Sequence, residues 1–253
     1  MSLFLPILPI LHMDFPREVT ALHQIEITSR CDLRCTYCPS PNLGRPKVDM
    51  TREIYERCLA IVRLKMQAGT QRELNLAGIG ESTIHPDFLE YLKLAREAVG
   101  PDLPIVFATN GLETAKRGQG FVEKMVPYHP QVWVSLHRPE KAGIAVEMYR
   151  RAGLFAGNST DPSTNGNDWA GQVKWHNALG NDIPCMWMRE GKMFAMADGW
   201  LSACCLDATG RGVIGHVNDK FEEGYRTQPW SACRSCYQHV GVRGYDQYGT
   251  GQP

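Results

Sequence analysis

Through the first 155 residues, short runs with strand character alternate with longer segments whose apolar residues recur every three or four positions. The run His23-Gln-Ile-Glu-Ile-Thr28 reads as the first strand. Thr51 can then cap a helix with Ile54, Cys58, Leu59, Ile61, Val62 and Met66 on its apolar face. Arg72 to Ala77 reads as a buried strand that runs into Gly78-Ile-Gly-Glu-Ser82. Pro86 opens a second helix, with Phe88, Leu89, Leu92, Ala95 and Val99 inward and Gly100 closing it. Pro104 to Thr109 forms a third strand, followed by Asn110-Gly111 and a helix through about Val126. Gln131 to His137 forms a fourth strand, and Pro139 begins a helix that runs to Arg151 and stops at Gly153. This alternation predicts an α/β fold with a parallel sheet or barrel.

From Leu154 to Asn181 the periodic signal weakens as Gly, Asn, Ser and Asp become frequent. The last barrel strands are placed near Leu154–Ser159 and Gln172–His176. Such a stretch near a barrel mouth suits a substrate lid or a solvated connection, and the second reading is preferred for most of it. A new composition starts at Pro184: Met193 to Met196 and Trp200 to Cys204 read as two strands joined by a turn at Asp198-Gly199. The expected organisation is an N-terminal extension (1–19), a barrel (20–183), a small second unit (184–240) and a glycine-bearing tail (241–253). No internal repeat is evident.

Composition narrows the function. The chain has 253 residues with 27 basic and 27 acidic side chains, which argues against a broad phosphate-binding surface. A nucleic-acid partner is therefore not indicated, although a local basic cleft stays open as an alternative. The opening Met1 to Leu11 is apolar, but it lacks a basic start, is broken by Pro6 and Pro9, and has no small-residue cleavage site. It is too short to span a bilayer and reads as packing on the barrel exterior. No membrane partner is expected. Nine cysteines fall in short-spaced groups, a pattern of metal binding in a reducing compartment, so a cytoplasmic location is expected.

The first group, Cys31-x3-Cys35-x2-Cys38, directly follows the first strand. The loop is short enough for three sulfurs to face one point, and Pro39 and Pro41 turn the chain away. Full protein ligation of a four-iron cluster takes four cysteines, so three leave one iron with an open position, where metals do chemistry. A zinc site or inert thiols are the alternative, but zinc knuckles usually add a second pair nearby and none follows within this loop. The spacing resembles the signature of the radical S-adenosylmethionine (SAM) superfamily. The resemblance implies a partial (β/α)6, TIM-like barrel with a [4Fe-4S] cluster whose unique iron binds the amine and carboxylate of SAM. It also implies reductive cleavage of SAM to a 5′-deoxyadenosyl radical that abstracts a substrate hydrogen, with a reductant such as flavodoxin or ferredoxin as partner.

The same resemblance assigns roles to further residues. Tyr37 occupies the position of an aromatic that lies against adenine, and Gly78-Ile79-Gly80-Glu81 resembles the Gly-Gly-Glu motif that receives the SAM amino group. Ile79 and Ser82 depart from the usual glycine and proline there. Thr109-Asn110-Gly111 matches a motif near the SAM carboxylate and ribose, and Ser135 matches a ribose contact. Strand-end residues of a barrel lie at the active-site mouth, which favours these readings. On the substrate side, His137 is a candidate proton acceptor and Arg151 a candidate anion-steadying group, each with a surface or packing role as the alternative. Trp175 and His176 are weaker candidates.

The second group, Cys185, Gly199, Cys204 and Cys233-x2-Cys236, resembles the SPASM/twitch extension of these enzymes, which holds auxiliary iron–sulfur clusters. No cysteine follows Cys236, which matches the shorter twitch form with one auxiliary [4Fe-4S] cluster, as in the branch that oxidises 2-deoxy-scyllo-inosamine. The implied second unit is a small C-terminal β-hairpin/helix iron–sulfur domain. A four-cysteine zinc ribbon on the same residues is the alternative, and Cys205 could replace Cys204. Cys58 reads as a buried apolar thiol. The expected reaction is hydrogen abstraction from a small polar molecule followed by oxidation of an alcohol to a carbonyl, with the auxiliary cluster as electron acceptor. The rivals are a redox-neutral isomerisation or epimerisation of an amino-acid or nucleotide conjugate, and a non-catalytic metal-binding module.

Overall fold

A computed structural model of the chain describes residues 17–159, 169, 172, 185–219, 224–227, 230–234 and 236. After a two-residue strand β1 (Arg17–Glu18), five strands follow in chain order: β2 (Ala21–Ile25), β3 (Leu74–Asn75), β4 (Ile105–Thr109), β5 (Gln131–Ser135) and β6 (Ala156–Ser159). Each pairs in parallel with the next. Parallel neighbours require long crossovers. These are supplied by α1 (Arg52–Gln67), α2 (Phe88–Val99), α3 (Leu112–Arg117), α4 (Gln119–Glu123) and α5 (Pro139–Arg151). A short helix α6 (Met186–Arg189) then precedes β7 (Lys192–Ala195), β8 (Trp200–Ser202) and β9 (Val213–His216). The sheet order is β6-β5-β4-β3-β2-β7-β8-β9, with β7 parallel to β2 and the last two strands antiparallel. A final strand β10 (Arg226–Thr227) pairs with β1 in a separate two-stranded sheet.

Strand alternation sorts the side chains. Leu74, Leu76, Ile105, Phe107, Val132 and Val134 join the helix residues Tyr55, Cys58, Phe88, Leu92, Ala145 and Tyr149 in one buried core. The intervening residues, among them Asn75, Ala108 and Ser135, face the inner side of the sheet. Thr51 caps α1 through a bond from Ile54 N (3.4 Å), worth about 1 kcal/mol. Tyr55 stacks on Tyr91 at 4.3 Å, and both hydroxyls donate to main-chain carbonyls, so these aromatics enter the core without an orphaned polar atom.

Several expected boundaries move. The first strand begins at Ala21, and β3 is two residues long because the chain bends into the glycine loop soon after Asn75. The helix expected to reach Val126 is interrupted at Gly118 into α3 and α4. The fourth strand stops at Ser135, leaving His137 in the following turn. The boundary at 183/184 does not coincide with a break in the sheet. The hairpin β7–β8 extends the barrel sheet, because β7 satisfies the hydrogen-bonding edge that β2 would otherwise expose. Of the strand placed at Gln172–His176, only Gln172 is described, and it bonds to the loop carbonyl of Leu206 and to Ala208 N. Trp175, His176, the opening Met1–Leu11 and the tail 241–253 lie outside the described residues. Among the described residues no helix is long and apolar enough to cross a membrane.

Candidate active site at the barrel mouth

The chain leaving β2 is stapled before it reaches the cysteines. Thr28 Oγ1 donates to Asp49 Oδ1 (2.6 Å), and Val48 N donates to Ser29 Oγ (2.8 Å). The cysteine loop then closes on itself: Cys38 N donates to Cys35 O (3.2 Å), Leu33 N to Cys31 Sγ and Ser40 N to Cys38 Sγ (both 3.4 Å). All three thiols are half-buried. Burial pushes the Cys31 thiol up to about 12 and raises Cys38 as well, so without a metal both are protonated.

The glycine loop after β3 rests directly on this segment. Glu81 N donates to Arg30 O (2.7 Å), and a Cβ on Gly80 would sit inside contact distance of the Thr28 and Arg30 carbonyls. A Cβ on Gly78 would collide with the Glu26 side chain. Glycine therefore lets two backbones touch at position 80 and makes room for the Glu26 side chain at position 78. Glu81 is buried, which raises its carboxyl, while bonds from Thr83, Asn110 and Thr109 oppose that shift. Its oxygens accept from Thr83 Oγ1 (2.6 Å), Thr109 Oγ1 (2.8 Å) and Asn110 N (2.7 Å). Asn110 in turn donates through Nδ2 to Asp32 Oδ1 (2.7 Å). One carboxylate thus ties the glycine loop to the end of β4, and Asn110 ties β4 back to the cysteine loop.

These elements enclose a cavity of about 270 Å³. It is lined by Cys31, Cys35 and Cys38, by Tyr37, Gly78, Gly80 and Glu81, and by Thr109, Asn110, Ser135 and His137. Tyr37 Oη lies 2.7 Å from His137 Nδ1, so the cysteine loop and the β5 turn meet across it. Sequence reasoning missed several contributors, Ser40, Ala77 and Ala108 among the lining residues. Trp169, from the segment read mainly as a solvated connection, lines the cavity with Leu33, and Asp32 anchors Asn110. Arg151 is a correction. It is exposed at the end of α5, where the chain returns to the start of β6, so it lies at the end of the sheet opposite the cysteine loop.

The second cysteine group lies beyond β7. The turn at Gly199 (φ 92°) brings β8 back along β7, and a Cβ there would press on the His216 ring. Cys185 and Cys233 pack in an apolar cluster with Met188, Phe194, Met196 and Ala203, and Cys205 and Trp230 border it. The five thiols Cys185, Cys204, Cys205, Cys233 and Cys236 are close enough to perturb one another electrostatically. Burial is the larger cause: it pushes Cys233 up to about 12 and raises Cys185, Cys204 and Cys205 too. Both Cys204 and Cys205 remain half-buried candidates. A buried Asp207 organises the loop between them and β9. Its oxygens accept from Gly210 N and Gly212 N (both 2.8 Å) and from Ser202 Oγ (2.9 Å).

The donor set of the front loop suits an iron–sulfur cluster: three soft thiols on one wall, two already receiving backbone N–H bonds that would favour thiolate. Among the described residues no three His, Cys, Asp or Glu side chains converge on a single metal ion, whereas a cubane places each cysteine on a different iron. Comparison with known proteins agrees. The profile of the Radical SAM superfamily matches residues 25–153, and the chain belongs to that superfamily. Its members bind a [4Fe-4S] cluster and SAM.

The chain is 31% identical over 106 residues to a GTP 3',8-cyclase of Paracoccus denitrificans, covering 40% of this chain and 29% of the relative. A GTP 3',8-cyclase of Erythrobacter litoralis is 23% identical over 189 residues, covering 67% and 54%. A tungsten-containing aldehyde ferredoxin oxidoreductase cofactor-modifying protein of Pyrococcus furiosus is 32% identical over 91 residues, covering 34% and 23%. The matches thus span between 23% and 54% of the length of these relatives. Two solved structures share the fold. BtrN in complex with AdoMet and 2-DOIA gives a TM-score of 0.62 at 13% identity, covering 82% of each chain. The protein anSMEcpe with bound AdoMet and a Cp18Cys peptide gives 0.56 at 13%, covering 80% and 79%.

Proposed function

We propose that Cys31, Cys35 and Cys38 hold the cluster and that SAM occupies the adjoining cavity, for hydrogen abstraction from a small polar substrate. One observation carries this: the three cysteines and all seven expected SAM contacts line a single cavity. When bound, the reduced cluster and SAM together supply a 5′-deoxyadenosyl radical. Tyr37 would lie against adenine, and the Gly78–Glu81 loop would receive the ammonium through its carbonyls and the Glu81 carboxylate. Thr109, Asn110 and Ser135 would position the carboxylate and ribose.

The second half of the reaction is read as oxidation. Loss of an electron and a proton from a substrate radical turns an alcohol into a carbonyl, so both an electron acceptor and a base are needed. An auxiliary [4Fe-4S] cluster on Cys185, Cys233, Cys236 and Cys204 (or Cys205), in a C-terminal unit that shares the barrel sheet, would take the electron. For the proton, His137 is placed in the cavity. Its Nε2 accepts a proton when Nδ1–H donates to the Tyr37 oxygen, so Tyr37 would set the working tautomer. An oxygen-sensitive cluster of this type suits a reducing compartment such as the cytoplasm and a flavodoxin or ferredoxin as reductant. A second reading, redox-neutral rearrangement, is favoured by the relatives named GTP 3',8-cyclase.

Anaerobic reconstitution with reductant-dependent 5′-deoxyadenosine formation tests the first half. A product lighter by two hydrogens, with one SAM consumed for each, supports oxidation. A product of unchanged mass supports rearrangement, and absence of deoxyadenosine from fully iron-loaded protein refutes both.

A further inference from the structure

Glu26 is an acid sealed inside the barrel. Ile25 and Ile27 on either side of it belong to the core beneath the helices, so strand alternation turns Glu26 to the inner face, where it is 0% exposed. A carboxylate at that depth needs a full set of partners. Arg45 Nη2 lies 2.6 Å from its Oε2, an ion pair by distance. Ile79 N donates to Oε1 (2.8 Å) and Ala197 N to Oε2 (3.3 Å). Burial raises the Glu26 pKa, and Arg45 is the largest of the groups that oppose the rise. Neither Glu26 nor Arg45 lines the cavity, so the pair can act on the site only through what it holds.

The bond to Ile79 is the one that bears on the site. The Ile79 N–H and the Gly78 carbonyl belong to one planar trans peptide, which points them in opposite directions. With the N–H fixed on Glu26, the Gly78 oxygen is sent away from the acid. Gly78 itself lines the cavity. A Cβ at Gly78 would sit 2.4 Å from Glu26 Cγ, so only glycine lets this peptide lie against the acid. Other polar groups of the loop are already spent: Glu81 N donates to Arg30 O (2.7 Å) and Ser82 Oγ to Leu76 O (2.8 Å). Among the described residues the Gly78 carbonyl accepts no hydrogen bond. A half-buried carbonyl left open beside a cavity calls for a donor.

We infer that Glu26 is a positioning residue: by holding the Ile79 N–H it turns the Gly78 carbonyl into the cavity, where that oxygen accepts from the amino group of SAM. The inference rests on SAM occupying this cavity, and it adds the group that presets the loop. Glycine would otherwise let the peptide present either edge at little cost. Arg45 serves Glu26 alone, keeping the buried acid ionised and matched in charge.

The test compares two paired replacements in the anaerobically reconstituted protein. Both remove the ion pair as a unit, which leaves no unmatched buried charge. Glu26→Gln with Arg45→Met keeps a side-chain oxygen for Ile79 N, and Glu26→Leu with Arg45→Met removes it. Equilibrium dialysis measures binding of SAM and of the SAM analogue that carries hydrogen in place of the α-amino group. The ratio of the two affinities should fall about fivefold in the leucine pair and stay within about twofold of wild type in the glutamine pair. Equal weakening of both compounds, or the same ratio in both pairs, overturns the assignment and leaves Glu26 a brace of the fold. Should the leucine pair not fold, Glu26→Asp decides. It keeps the charge but withdraws the acceptor from Ile79 N, so the ratio should fall about threefold, and an unchanged ratio overturns the assignment. Failure of iron-loaded wild type to bind SAM overturns the SAM site itself, whereas binding by wild type with unchanged ratios in the variants overturns only the role of Glu26.

Discussion

The two cysteine groups differ in their access to solvent, the front trio following a strand and the rear thiols coming from a helix start, a hairpin end and a short C-terminal turn. The front trio is half-buried on the wall of a cavity, framed by glycines and by side chains already committed to one another. The rear group is sunk among Met188, Phe194, Met196 and Trp187, with Cys185, Cys233 and Cys236 buried. A cluster that must bind and cleave a small molecule needs an open side, and one that only passes electrons gains from an apolar coat that excludes water. The contrast lies in access more than in ligand chemistry.

The sharpest way to break that contrast is to remove one thiol from each group. Cys31→Ala should abolish reductant-dependent 5′-deoxyadenosine formation, by more than about 100-fold. Cys233→Ala should leave SAM cleavage within a few-fold while lowering substrate turnover by a comparable factor. Equal losses of deoxyadenosine in both variants would show that the groups do not divide the labour. A second change acts on the front group without touching a ligand. Gly80→Ala drives a methyl into the Thr28 and Arg30 carbonyls, so it should destabilise the fold by about 2–3 kcal/mol in urea titration and weaken SAM binding. On the rear side, Asp207→Ala strips the loop bonds to Gly210, Gly212 and Ser202. It should cost about 2 kcal/mol and lower the iron held by the rear group only, as read by iron analysis.

The smallest expected effect concerns His23, which abuts Trp187 of the rear cluster. Burial and then Lys192 lower its pKa to about 4, so its 3.2 Å contact with Glu73 joins a neutral imidazole to a carboxylate. The unfolded chain takes up a proton below about pH 6.5 and the folded one does not until about pH 4. Stability should therefore fall as pH drops through that window, by about 1–2 kcal/mol after allowance for partial exposure. His23→Gln should flatten the profile, and an unchanged profile would place the titration elsewhere.

Much of the front site was legible because its residues act through local sequence. Cysteine spacing, two glycines and the strand-end Thr109-Asn110 each follow from short motifs, and all meet at the cavity. Ser135 and His137 were legible as the end of a strand, although the strand stops before His137. Arg151 was misread because a crossover helix carries its last residues back to the starts of the strands, away from the mouth. The pairing of β7 with β2, the strand β9 and the contact of Glu26 with Arg45 depend on segments that meet only after folding. No periodicity along the chain encodes such meetings.

The central claim is that the front cluster has an iron open to SAM. Electron paramagnetic resonance of the dithionite-reduced, anaerobically reconstituted protein, recorded with and without SAM, tests it most directly. Protein with about eight irons per chain, four for each cluster, should show a signal that SAM perturbs and that Cys31→Ala removes, beside a second signal that SAM leaves alone. Zinc at the front loop, or spectra indifferent to SAM in fully iron-loaded protein, would contradict the account.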